Sequence, residues 1–260
     1  MPAKGATETL AEAPAEEPLD FGGVVVQDVR RGFAAKRGEV LALDGMALCA
    51  DRDQVVAVVG PSGCGKSTLL ELICGLQRPD AGTVRAAPAA LMPQRDLLLP
   101  WLSALDNAGL ALRARGTSRG DARAAAAPWF ERFGLGGFED ARPAALSGGM
   151  RQRIAFLRTL LAGKPVLALD EPFAGLDAIT RLQMQEWLAR VLEREPRTVV
   201  LVTHDVEEAV LLGDKVVVMS PRPGHAVAEI EVPIQRPRRG TDAEVVALRE
   251  RALTALGMPT

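Results

Sequence analysis

Four short runs in the chain are apolar at every position: residues 55–59, 166–169, 199–202 and 216–219. A strand with one wet face alternates apolar and polar side chains, whereas a strand covered on both faces of a parallel sheet need not. These runs therefore predict buried parallel strands. Between them the period changes: Leu69, Leu72, Ile73 and Leu76 fall at i, i+3, i+4 and i+7 before Pro79, which predicts an amphipathic helix. Strand and helix patterns alternate, placing the chain in the α/β class.

Residues from about 98 to 158 break that alternation. They hold no β-rich run but carry Ala-rich helical patterns at 104–115 and 119–133, which predicts a helical insertion in the α/β core. Pro128 lies inside the second pattern and is expected to kink or restart it. The C-terminal part, about 215–256, reads as a strand, a Pro-Gly turn at 221–224, a strand at 226–234 and an amphipathic helix at 242–256. After residue 220 too little chain remains for a typical second domain. Residues 1–20, rich in Ala, Pro and Glu with no apolar signal core, read as a disordered acidic arm. Ordered structure is expected from Phe21, with Val24, Val25 and Val26, so that 21–260 form one domain.

Composition then removes function classes. With 31 basic and 33 acidic side chains the formal charge is −2, which lacks the electrostatic footprint of a nucleic-acid binder. Cys49, Cys64 and Cys74 form no C-x-x-C pair, so neither a zinc array nor a disulfide scaffold is expected, and a reducing compartment fits best. No apolar run approaches the roughly 18 residues a membrane span needs.

The chemistry concentrates in three strings. Gly60-Pro61-Ser62-Gly63-Cys64-Gly65-Lys66-Ser67-Thr68 matches G-x-x-x-x-G-K-[ST] between an apolar strand and a helix, the context that motif requires. Its backbone N–H groups and the helix N-terminus suit phosphates, Lys66 reaches the β and γ oxygens, and Ser67 can ligate Mg²⁺. Cys64, between two glycines, reads as a small filler rather than a nucleophile. The run at 166–169 ends in Asp170 and Glu171, carboxylates expected beside the phosphate loop of a neighbouring strand. There Asp170 can hold the Mg²⁺ shell and Glu171 can polarise a water. Leu146-Ser147-Gly148-Gly149-Met150-Arg151 opens a helical run, with Ser147 as N-cap and two glycines leaving bare N–H groups for a second anion site.

Together these strings resemble the ATP-binding subunits of ABC transporters, whose order is phosphate loop, Q-loop, LSGGQ signature, acidic strand end, D-loop and switch His. The resemblance covers about residues 21–235. It implies a P-loop NTPase (RecA-like) core with a mostly parallel sheet, a helical subdomain at about 98–158 and an N-terminal antiparallel β part. It also implies that Gln94 senses the γ-phosphate and Mg²⁺, that Glu171 is the general base, and that His204 contacts the γ-phosphate. Asp177, in Ala174-Gly175-Leu176-Asp177, would bridge subunits. ATP would lie between Lys66 of one chain and Ser147, Gly148 and Gly149 of another, in a homodimer with two equivalent sites. Relatives stack adenine on a Tyr upstream of the phosphate loop; this chain has no Tyr, and Phe33 is either its substitute or a core residue. The D-loop reads Ala-Gly-Leu-Asp where many relatives have Gly-Ala-Leu-Asp, with little expected consequence.

The segment from Arg95 to Asn107, with Glu171-Pro172-Phe173 and 177–181, resembles the nitrate, sulfonate and taurine importers. That implies a peripheral subunit on the cytoplasmic face of the membrane, coupled to integral membrane permeases and, indirectly, to an extracytoplasmic solute-binding protein, with no nucleic-acid partner. Trp101 either lines a groove for a permease helix or packs in the core. Competing readings are an exporter subunit sharing the same motor chemistry, a non-transport ABC-type ATPase, and a small-molecule kinase, which gives no reason for the signature string.

Overall fold

The computed structural model describes residues 22–35 and 38–258; the expectation of an acidic arm at 1–20 lies outside them. The strands, in chain order, are β1 (Val24–Ala35), β2 (Gly38–Ala50), β3 (Val55–Val59), β4 (Ala81–Ala86), β5 (Ala89–Met92), β6 (Val166–Asp170), β7 (Thr198–Thr203), β8 (Lys215–Met219) and β9 (Ala226–Glu231). The helices are α1 (Lys66–Ile73), α2 (Ala104–Ala108), α3 (Leu110–Ala114), α4 (Arg119–Arg132), α5 (Gly148–Leu160), α6 (Ala178–Arg194), α7 (Val206–Leu212) and α8 (Ala243–Ala255).

A six-stranded sheet runs in the order β5-β6-β7-β3-β8-β9. Its first five strands are parallel, and β9 closes the edge antiparallel to β8. The uninterrupted apolar runs are explained by its two covered faces. Val55, Ala57 and Val59 point into one core with α5, α6 and α7, while Val56 and Val58 point into a second with α1 and the antiparallel sheet β2-β1-β4. All five residues of β3 are buried.

Four expectations are corrected by local chemistry. The helix after the phosphate loop ends at Ile73 rather than Leu76, because Gly75 takes a left-handed φ of +68°, leaving Leu76 64% exposed. The 104–115 pattern splits at Gly109, where the bare backbone closes on α4: a Cβ there would meet Ala122 O at 3.2 Å. Conversely, α4 continues through Pro128. Pro128 and Ala124 are both exposed, so the carbonyl that loses its N–H partner can be solvated. The strand expected over 226–234 stops at Glu231, and Pro233 has no N–H to extend the ladder. No helix among the described residues is long and apolar enough to cross a membrane.

Candidate functional site

The turn after β3 builds the first half of the site. Gly65 sits at φ +108°, and a Cβ there would strike Leu43 Cδ2 at 2.7 Å and Ala42 O at 2.8 Å, so β2 itself enforces glycine. The N-terminus of α1 has no side-chain cap, which leaves its first N–H groups available to an anion. Lys66 is 5% exposed. Its Nζ folds back to donate to Gly60 O at 2.9 Å and Pro61 O at 3.0 Å.

Glu171, just past the end of β6, is where the catalytic candidates converge. Lys66 Nζ lies 3.9 Å from Glu171 Oε1, Gln94 Nε2 donates to Glu171 Oε2 at 3.1 Å, and His204 Nδ1 lies 3.1 Å from the same oxygen. Three loops, from β5, β6 and β7, thus meet on one carboxylate. Glu171 holds a left-handed φ of +43°, a conformation that costs a non-glycine residue roughly 1–3 kcal/mol. Its N–H donates to Val202 O at 2.9 Å, which fixes that geometry from the neighbouring strand.

Asp170 reaches the phosphate loop by a different route from the one expected. β6 is not adjacent to β3, since β7 lies between them. α1 packs against β6 instead, which brings Ser67 on its first turn toward Asp170. Burial pushes the Asp170 carboxyl above its ordinary range, with Ser67 opposing. Burial likewise raises the Cys64 thiol, with Lys66 opposing. Cys64 is 1% exposed, which supports the filler reading over a nucleophile.

A cavity of about 460 Å³ is lined by Ser62, Gly63 and 65–68 with Gln94, Glu171 and Phe33, while His204 lines another with Gly60 and Pro61. Phe33 is 37% exposed on β1, and the Arg31 guanidinium stands over its ring 4.9 Å from the centroid. Arg222 lines the cavity as well. Sequence reasoning left Arg222 inside the 221–224 turn; a cation near a phosphate loop signals nothing until the turn is seen folding over β2, where Asp44 N–H donates to Gly224 O at 3.1 Å.

The signature string lies elsewhere in the same chain. Ser147 caps α5, its hydroxyl accepting from Met150 N–H at 3.2 Å. Gly148 lines a separate cleft of about 650 Å³ with Asp96, Arg151 and Leu176, and Gln94 borders both cavities. Ser147, Gly149 and Asp177 line neither. Asp177 caps α6, accepting from Thr180 N–H at 3.0 Å and from the Thr180 hydroxyl at 2.6 Å, which lowers its carboxyl below the usual range. Trp101 is 67% exposed, which overturns the core alternative for it.

A model of the ABC transporter family matches residues 43–174. The aliphatic sulfonates import ATP-binding protein of Mesorhizobium japonicum is 40% identical over 268 residues, covering 98% of this chain and 99% of its own. The formylaminopyrimidine import ATP-binding protein of Halalkalibacterium halodurans is 48% identical over 184 residues, 70% of this chain and 74% of its own. The taurine import ATP-binding protein of Chromobacterium violaceum is 42% identical over 229 residues, 82% of this chain and 88% of its own. Among solved structures, a dimeric ATP-binding cassette in a post-hydrolysis state with ADP and Pi superposes with a TM-score of 0.70 at 27% identity, over 81% of this chain and 99% of that one. With a family match over half its length and relatives aligned almost end to end, the chain belongs to the ABC transporter family, as an ATP-binding subunit.

Proposed function

We propose that this chain is the ATP-hydrolysing motor subunit of an import system for a small solute of the kind its relatives are named for, aliphatic sulfonates, taurine or formylaminopyrimidine. The observation that carries the reading is the convergence of Lys66, Gln94 and His204 on Glu171 at the mouth of the phosphate loop. Phosphoryl transfer to water needs little covalent work from a protein; it needs an oriented water, a proton acceptor and cations for the phosphates. Glu171 is the base and orients the water. Lys66 swings from the Gly60 and Pro61 carbonyls to the β and γ oxygens, and His204 meets the γ-phosphate. Phe33 offers the ring face away from Arg31 to adenine, and residues 62–68 cradle the phosphates.

Mg²⁺ fits the residues present. The Ser67 hydroxyl, the Asp170 carboxylate and the Gln94 amide oxygen are hard oxygen donors, and burial raises the Asp170 carboxyl, a cost that a bound cation offsets. Those three side chains would hold the ion, which when bound supplies charge neutralisation at the phosphates.

The phosphate loop and the signature turn occupy different cavities within the chain. That supports a homodimer in which Ser147, Gly148 and Gly149 of one copy close over ATP held by Lys66 of the other, with Asp177 at the seam. Exposed Leu97 and Trp101, at the start of the helical subdomain at about 98–158, supply apolar contact for a cytoplasmic helix of the permease. The subunit then sits peripherally on the cytoplasmic face, linked to the solute-binding protein only through that permease.

The test is ATPase activity and solute uptake of the chain co-expressed with its permease. Glu171→Gln should lower hydrolysis by about 10²- to 10⁴-fold while still binding ATP, and should trap a dimer at saturating ATP. Full hydrolysis in Glu171→Gln or Lys66→Ala, or a strictly monomeric Glu171→Gln chain under those conditions, would overturn the assignment.

A further inference from the structure

The turn between β8 and β9 is wedged against the nucleotide cavity from two sides. Gly224 N–H donates to Ala42 O at 2.8 Å and Gly224 O accepts from Asp44 N–H at 3.1 Å, which ties the turn to β2. Opposite, it meets the phosphate loop, where a Cβ added to Gly224 would strike Cys64 O. Within the turn, buried Ser220 donates through Oγ to Pro223 O at 3.0 Å, accepts from His225 N–H at 3.0 Å, and donates its own N–H to His225 O at 2.9 Å.

None of these bonds uses the Arg222 side chain. Arg222 is exposed and lines the cavity with Phe33, Ala42, Lys66 and Thr68. Among the described residues its guanidinium enters no hydrogen bond or ion pair. The turn keeps its shape without that side chain, so its own stability calls for no cation there. A donor-only, permanently charged group in a phosphate cavity is complementary to an anion. Its place narrows which one. Gln94 and Glu171 stand at the hydrolytic end, whereas the turn pairs with Leu43 on β2, the strand that supplies Val40 and Ala42 beside Phe33.

We infer that Arg222 is a nucleotide-binding residue that donates to the phosphate next to the ribose. The inference rests on the motor reading above and adds to it a contact outside the phosphate loop. Residues 62–68 and Lys66 serve the outer phosphates and Phe33 serves the base; Arg222 covers the stretch between. Its guanidinium touches no reacting atom, so it holds ATP and ADP alike, and it contributes to binding rather than to rate.

The experiment is titration calorimetry of the full-length chain in Mg²⁺ with ADP and, separately, with the non-hydrolysable analogue AMP-PNP, for wild type, Arg222→Gln and Arg222→Lys. ATPase of the permease-assembled subunit and thermal unfolding without nucleotide accompany it. An ion pair in a half-open cleft falls between the exposed and the desolvated cases, so Arg222→Gln should raise Kd by about 3- to 30-fold. The factor should be the same for ADP and AMP-PNP, with KM for ATP rising in step and kcat held within about twofold. Arg222→Lys, which keeps the charge but not the planar fork, should recover part of the loss, and added salt should narrow the gap between wild type and Arg222→Gln. Nucleotide-free unfolding should not move. Unchanged affinity for both nucleotides overturns the proposal. So does a loss confined to AMP-PNP, which would put the guanidinium at the terminal phosphate, or a loss matched by weaker nucleotide-free stability, which would make Arg222 a turn residue. Lys66→Ala run alongside keeps the two readings apart: if it binds and hydrolyses ATP as wild type does, the motor assignment falls and not only the role of Arg222.

Discussion

Replacing Arg158 with Met should release the segment that follows Gln94. Arg158 on α5 donates through Nη1 to Leu97 O at 2.9 Å and through Nη2 to Asp96 O at 2.6 Å. Leu97 holds a left-handed φ of +45°, which has no intrinsic support in a branched residue. A hydrogen bond from a charged donor contributes about 1.5–3 kcal/mol, so the gross loss is about 3–6 kcal/mol. Two effects reduce it. Burial already lowers the Arg158 guanidinium below its ordinary value, so an apolar replacement recovers desolvation cost, and Leu97 is 56% exposed, so water can reach the freed carbonyls. Asp96 also keeps its ion pair with Arg151, 3.1 Å away. The net expectation is about 1–3 kcal/mol, mostly local. Hydrogen exchange read by mass spectrometry over residues 94–99 should then show protection reduced by about 5- to 150-fold, on the conversion of about 1.4 kcal/mol per factor of ten. Urea unfolding should shift by less than the local loss. Unchanged exchange over 94–99 together with lowered global stability would refute the reasoning, because Arg158 would then be a packing residue and not the clasp on this turn.

Asp106, 2% exposed, accepts from Arg119 at 2.9 and 2.7 Å and from Ser103 at 3.0 Å, and these partners hold its carboxyl well below the usual range. Its contribution is present above the ordinary value near pH 4 and is lost as pH falls below it, so Asp106→Asn should remove part of the acid sensitivity seen in thermal unfolding below about pH 4. Glu208 is shifted the other way, up to about 8, by burial and then by Asp205, with Thr203 and Arg181 opposing and Glu171 adding to the rise. The folded state therefore holds that proton more tightly than the unfolded chain, and stability should decline as pH rises from about 5 to 8, a slope that Glu208→Gln should flatten in urea midpoints. Phe33→Ala should raise KM for ATP by about 2- to 12-fold, equivalent to about 0.5–1.5 kcal/mol of lost stacking, with kcat preserved; an unchanged KM would return Phe33 to the status of a plain strand residue. Cys64 should resist alkylation under native conditions, because its thiol is buried and raised, and rapid labelling at neutral pH would contradict the filler reading.

What could be read from the chain depended on whether local chemistry alone decided the outcome. β3, β6, β7 and β8 are buried on both faces, so their apolar runs carry the answer without reference to partners. β1 and β2 were legible only as a few valines and an implied antiparallel part. Their ladder shifts register between Val26 and Val29 and again around Arg31, which breaks the alternation a pattern reading needs. β4 has no buried residue, and nothing in its composition asks for a strand. Between β5 and β6 the chain forms α2 to α5, and the breaks among these helices followed tertiary contact: Gly109 yields to the approach of α4, while exposed Pro128 costs α4 little.

The site was legible in a different sense. Its strings pointed to Lys66, Asp170 and Glu171 because phosphate chemistry restricts which residues can stand at each place, while Gln94 and His204 came only with the family resemblance. Arg222, Arg158 and Glu208 announced nothing, since Arg and Glu are common and their meaning lies in what they face. Ser147 is a different case: the resemblance sets it against the nucleotide of another chain, and within this chain it caps α5 while Gly148 lines a second cleft. Gln94 borders both cavities, so a rigid-body turn of residues 98–158 that moved the signature would also pull on the residue bonded to Glu171. In the proposed dimer that shared border is where closure by one copy reaches the base of the same copy. In that proposed dimer Gln94 borders both half-sites of one copy, and Gln94→Ala should therefore lower cooperativity in ATP more than it lowers ATP binding.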